Sequence, residues 1–195
     1  MQQKSLKTEF YHECHTDDVK LFISANTFPY VSRILLPIGT GKVSFANSVV
    51  TYFVMISQLG IPTYGIRACA IVRDDEEKLK KTVYELFAIN VVMSILAYIV
   101  FFAALIYVPR LRADRTLFLI TGTLIFFNTI GVEWLYKALE QYTYITVRSI
   151  IFKFIALIAM FVLVHDVDDY VIYGGISIFA ASASNVFNFI RLRKS

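Results

Sequence analysis

A few polar and charged residues stand where the surrounding sequence is apolar, and they limit the chemistry open to this chain. Arg67 follows the interruption Gly60-Ile61-Pro62, Arg33 follows Phe28-Pro29, Lys153 lies one turn into an apolar run, and Glu133 stands beside Trp134 near the end of another. A fixed cation in a watery hollow can hold an anion, and arginine suits this because its planar fork stays charged and offers paired donors. A carboxylate such as Glu133 can exchange a proton or a sodium ion there, or partner a cation. The plainer reading is interfacial: Arg33, Arg67 and Lys153 snorkel to headgroups, and Glu133-Trp134 anchors a helix end. The amides Asn47, Gln58, Asn128, Asn185 and Asn188 pose a similar choice, because in a bilayer they either bond neighbouring helices or line a polar lumen. Ser182, Ser184, Asn185 and Asn188 share one stripe at helical spacing.

No nucleophile or acid–base cluster accompanies these residues, so no enzymatic activity is expected. His12, Cys14 and His15 match no metal-ligand spacing, and neither a metal nor another cofactor is expected. Cys14 and Cys69 are far apart and give no sign of a structural disulfide.

The elements that must position these residues are membrane helices. Hydrophobic residues make up 57% of the 195-residue chain and charged ones 17%, well below the quarter usual in soluble domains. Mean hydropathy is +0.60. The expected architecture is all-α, a polytopic bundle of about six spans. A polar segment over 1–18 precedes spans near 19–38, 43–72, 86–108, 116–136, 149–164 and 170–190. The first is degraded, with Pro29, Arg33 and Pro37 inside it, and a turn over 38–42 separates it from the second. The second breaks at Gly60-Ile61-Pro62, because proline lacks an amide donor and clashes with the preceding turn. A broken helix persists in lipid only where protein or a watery cavity covers its loose backbone, which marks 43–75 as the wall of a transport cavity. Residues 73–81 form a charged loop of helical character, and 137–148 a tyrosine-rich linker holding Glu140 and Arg148 at an interface. Lysine and arginine gather on the side of both termini, which places the termini in the cytoplasm. The net charge of +4 therefore does not point to nucleic acid.

Several stretches, in order, resemble the polysaccharide-transporter family, the O-antigen and capsular-repeat flippases of the multidrug/oligosaccharidyl-lipid/polysaccharide exporter superfamily. They are Thr27-Phe28-Pro29-Tyr30-Val31-Ser32-Arg33, Gly41-Lys42-Val43-Ser44-Phe45-Ala46, Leu59 through Arg67, Val72 through Asp75, Glu133 through Tyr136, Arg148 through Lys153, Asp168-Asp169-Tyr170 and Asn185 through Asn188. The resemblance implies a carrier in the bacterial cytoplasmic membrane. It would move undecaprenyl-diphosphate-linked repeats to the outer leaflet for O-antigen, capsule or exopolysaccharide, alongside the polysaccharide assembly machinery. It also implies two halves around a central cavity, and this chain matches only the N-terminal half. A missing C-terminal half or a second copy would complete it; the alternative is a non-transporting half or an assembly subunit. Cargo recognition then falls to Arg33, Arg67 and Lys153 for the diphosphate, to Asn185 and Asn188 for the sugars, and to Glu133 for coupling.

Overall fold

The computed structural model describes residues 29–194. The expected polar segment over 1–18, most of the expected first span, and His12, Cys14 and His15 fall outside them. Within them the chain is helical, and it is a polytopic membrane bundle. A helical stretch over 29–34 leads to α1 (Leu36–Gln58), α2 (Ile61–Ile71), α3 (Glu76–Tyr107), α4 (Pro109–Ala113), α5 (Arg115–Gly131), α6 (Glu133–Ala138), α7 (Tyr142–Leu163), a 3-10 turn (Val167–Asp169) and α8 (Tyr170–Lys194). Among the described residues, four segments are long and apolar enough to cross a bilayer: Leu36–Ile71, Glu76–Tyr107, Tyr144–Leu163 and Val167–Asn188.

The helix boundaries follow local chemistry. The bend at Leu35 and Leu36 precedes Pro37, whose ring pushes the preceding residue out of the helical region, and Leu36 takes φ 55°. Residues 38–42 are helical rather than a turn, with Gly39 buried against Leu35 and Tyr170. The break after α1 is where glycine and proline put it. Leu59 and Gly60 are left-handed (φ 41° and 74°), and Pro62 sits in the first turn of α2. Residues 76–81 extend the third membrane helix into water rather than looping. Asp75 caps it by accepting from the Lys78 amide at 3.1 Å, and the Lys78 ammonium and amide together hold this carboxyl below its usual range. Val108-Pro109 ends α3.

Two further segments depart from the sequence expectation. The span anticipated over 116–136 breaks at Val132, leaving α5 at 17 residues, about 26 Å long against a hydrocarbon core of about 30 Å. The linker anticipated over 137–148 is mostly helix, because α6 ends at Ala138 and α7 begins at Tyr142, so Arg148 lies inside a helix.

Three apolar clusters hold the bundle. One joins α1, α3 and α5 through Val50, Phe101 and Ile125. A second packs Val31 and Leu35 on Met160 and Ile176. The third gathers the two short helices that follow the breaks: Ile61 and Cys69 of α2 against Trp134, Leu135 and Ala138 of α6, with Leu86 of α3. At the other end of α1, Lys42 reaches Asp114 at 2.8 Å and lies over the Tyr170 ring, while the Tyr170 hydroxyl donates to the same carboxylate at 3.0 Å.

Candidate functional site

The two breaks meet. Beneath them lies a polar hollow of about 200 Å3, lined by Gln58, Pro62 and Ile66 from the first break, by Asn128, Gly131, Glu133, Trp134 and Lys137 from the second, and by Asn185 of α8. Close approach depends on two glycines. A Cβ on Gly65 would stand 2.7 Å from the Trp134 ring, and one on Gly131 would stand 2.6 Å from the Asn185 amide carbon. Without side chains there, α2 lies on the indole and α8 on the end of α5.

The second break is imposed from outside. Val132 takes φ 35° and ψ 34°, a left-handed conformation that crowds a β-branched side chain and stores ~1–3 kcal/mol. It persists because neighbours secure the loose backbone. Asn188 donates from Nδ2 to the Gly131 carbonyl at 2.7 Å, the Tyr136 hydroxyl donates to the Asn188 carbonyl at 2.8 Å, and an Arg148 guanidinium nitrogen donates to Asn188 Oδ1. Arg148 is 8% exposed and stacks over Tyr144, its carbon Cζ 5.1 Å from the ring centre. A guanidinium in this position fixes the Asn188 amide so that its NH2 points at the broken helix end. Neighbouring bonds tie the same region to α3: Ser94 and Thr129 share a short hydroxyl contact, and Asn90 donates to the Thr129 carbonyl at 3.5 Å.

The hollow is close to neutral. Glu133 Oε1 and Lys137 Nζ pair at 2.9 Å across one turn of α6. Its other groups are donors and acceptors without charge. Asn128 spends its NH2 on the Leu124 carbonyl at 2.9 Å, leaving its oxygen. The Trp134 Nε1–H is buried with no partner among the described residues, and Asn185 and Gln58 make no hydrogen bond among them.

The residues singled out from sequence divide in two. Pro62, Glu133 and Asn185 line the hollow and Gly60 forms its break, while Asn188 lies one turn beyond and secures Gly131. Arg33 and Arg67 are exposed and line no part of it. Lys153 is half-buried on α7, also away from it. Arg148, read as interfacial, is instead buried and bonded across to α8. The available signal was its place inside an apolar helical repeat running from Tyr144 to Leu163. Gln58, Trp134 and Lys137 were not assigned to the site, since nothing local brings two breaks together.

Comparisons with known proteins bear on the whole chain. A putative O-antigen transporter of Escherichia coli (strain K12) is 23% identical over 160 residues, which covers 82% of this chain and 38% of that protein. This chain thus spans well under half the length of the relative it matches. No solved structure matches it. The profile of the polysaccharide biosynthesis protein family matches residues 20–195, nearly the whole chain, and the chain belongs to that family.

Proposed function

We propose that this chain forms one bundle of a carrier that moves undecaprenyl-diphosphate-linked oligosaccharide repeats across the bacterial cytoplasmic membrane, for O-antigen, capsule or exopolysaccharide. The observation that carries the reading is the chemistry of the outward faces. Along the membrane part of α3 the exposed side chains include Ile89, Val92, Ile95, Leu96, Ile99, Val100 and Phe102, and none there is polar before Tyr107. Along α7 they are Val147, Ile151, Phe154, Ile155, Ile158, Phe161, Val162 and Leu163. These faces suit acyl chains.

The outward face of α1 differs. Gly41, Ser44, Ser48 and Thr51 are exposed there among Phe45, Tyr52 and Met55, and Thr63, Tyr64 and Arg67 continue the exposure along α2. The Ser48 and Thr51 hydroxyls donate back to carbonyls four residues earlier at 2.9 and 2.7 Å, so they are satisfied where they stand. A face of small polar residues gains nothing from lipid, and it suits a hydrated path for a glycan. Arg67 at one end of that path and Arg33 ahead of α1 supply cations for the diphosphate, with Lys153 as a third. A second bundle, from a C-terminal half or another copy, closes the path on its far side. Both termini face the cytoplasm in this arrangement.

The test is made in the chromosomal gene. The double change Ser48→Leu, Thr51→Leu and the single change Arg67→Ala each cause lipid-linked repeats to accumulate on the inner leaflet, whereas Ile95→Leu on α3 does not. Normal leaflet distribution in both α1–α2 variants, with protein present at wild-type levels, overturns the reading.

A further inference from the structure

We propose that the hollow where the two breaks meet is a subsite for a single neutral sugar ring of the cargo. The inference rests on the carrier reading for its biological meaning, but its chemistry comes from the site. Charge decides the class of ligand first. The Glu133 carboxylate is already compensated by Lys137 at 2.9 Å, so neither a bare cation nor an anion finds an uncompensated opposite charge there. What the hollow offers instead is unspent neutral hydrogen bonding. The Trp134 indole forms part of the wall, with its Nε1–H sealed inside it, so the groups open to an occupant are the amides. The Asn185 amide, 5% exposed, and the Gln58 amide bring both donors and acceptors, and Asn128 contributes an oxygen. A buried amide without a partner is unfavourable, so Asn185, with the half-buried Gln58 and Asn128 beside it, calls for an occupant that both gives and takes hydrogen bonds. Hydroxyl groups do both.

Size narrows the class. At about 30 Å3 per water in the liquid, a volume of 200 Å3 corresponds to on the order of six waters, about what one hexose displaces. The walls also suit a ring, since Pro62 and Ile66 add apolar surface to that of the amides. Because the lining comes from both breaks and from α8, occupancy of the hollow would sense any relative movement of α2 against α6.

Trp134 is the only tryptophan in the chain, so its emission reports on the hollow. Purified full chain in phospholipid nanodiscs is titrated with N-acetylglucosamine, glucose and galactose, and retention of tritiated N-acetylglucosamine is measured separately by equilibrium dialysis. At least one of these sugars is expected to shift the emission saturably with half-saturation in the millimolar range, as befits a ligand of about a dozen heavy atoms. Asn185→Leu and Gln58→Leu, on different helices, each weaken this binding about tenfold or more. Ile95→Leu, on the outward face of α3, leaves it unchanged. The proposal is overturned if no sugar shifts the emission and no label is retained. It is equally overturned if sodium chloride titrated against choline chloride at constant ionic strength gives the saturable response instead. Normal lipid-linked repeat export in Asn185→Leu and Gln58→Leu cells, together with absent sugar binding, would sink the subsite alone. Sugar binding in a chain whose α1–α2 variants leave export untouched would sink the carrier reading alone.

Discussion

The two helix breaks that meet at the hollow were made in different ways. At the first, the residues themselves dictate the break: Gly60 adopts φ 74° without strain beside an exposed, left-handed Leu59, no atom lies within 4 Å of where the Gly60 side chain would be, and Pro62 starts the next helix. At the second, Gly131-Val132 carries no proline, and the left-handed residue is a buried valine, 1% exposed. There the break is held by partners from other helices: Asn188 on the Gly131 carbonyl, Arg148 on Asn188, and Trp134 seated on Gly65. A break encoded locally survives changes around it, whereas a break held by tertiary contacts fails when a contact is removed. The predictions that follow separate the two cases by stability, read as thermal unfolding of the purified chain.

The largest effect is expected at Asn188. Asn188→Leu strips the cap from the Gly131 carbonyl and leaves the buried Arg148 guanidinium without its side-chain acceptor, a loss of about 3 kcal/mol or more. Gln58→Leu removes an amide at the first break that makes no hydrogen bond to a described residue, and it changes stability by less than about 0.5 kcal/mol. Equal losses in the two variants would erase the distinction between the breaks.

This asymmetry also explains what could be read from the sequence. The first break was legible because glycine and proline act on their own backbone, and the same holds for the end of α3 at Val108-Pro109. The second was not, because every residue from Thr116 to Tyr136 is compatible with one continuous span, and the contacts that interrupt it lie more than fifty residues away in sequence at Asn188. Glu133 and Asn185 were picked out as polar residues in apolar runs, and they do line the hollow. The same rule picked Arg67, yet α2 buries Ile61, Gly65 and Cys69, which turns Arg67 outward with Thr63 and Tyr64. Arg148 was missed for a related reason. Tyr144 is a neighbour within α7, but its partner Asn188 comes close only once α7 and α8 pack, so a cation at the start of an apolar run read as a membrane surface.

The next effect in size is at the contact between the short helices. Gly65→Ala adds a methyl where the indole of Trp134 already sits, and a rigid ring cannot yield as a flexible chain end would. The expected loss is ~1–3 kcal/mol, with a shift in Trp134 emission as the ring moves. Unchanged emission would mean that α2 and α6 are not in firm contact. Smaller still is Gly60→Ala at the first break, where space is free and only the left-handed backbone resists a side chain. That change is expected to lower stability by ~1–2 kcal/mol without altering the emission.

The substitution most specific to the second break is at Val132, because its effect depends on a change of sign. In an ordinary helix, glycine is worse than alanine by about 0.5–1 kcal/mol, since it has more backbone freedom to lose. Val132 is buried, so Val132→Ala and Val132→Gly both lose packing against Trp134 and Leu135 and both destabilise. Only glycine also relieves the left-handed strain at φ 35°. Val132→Gly is therefore expected to be more stable than Val132→Ala by about 1 kcal/mol, the reverse of the helical order. Combining each with Asn188→Leu sharpens the point: once the cap is gone the break is free to straighten, and the order reverts to alanine above glycine. If alanine leads in both backgrounds, the strain at Val132 is not what the neighbouring helices sustain.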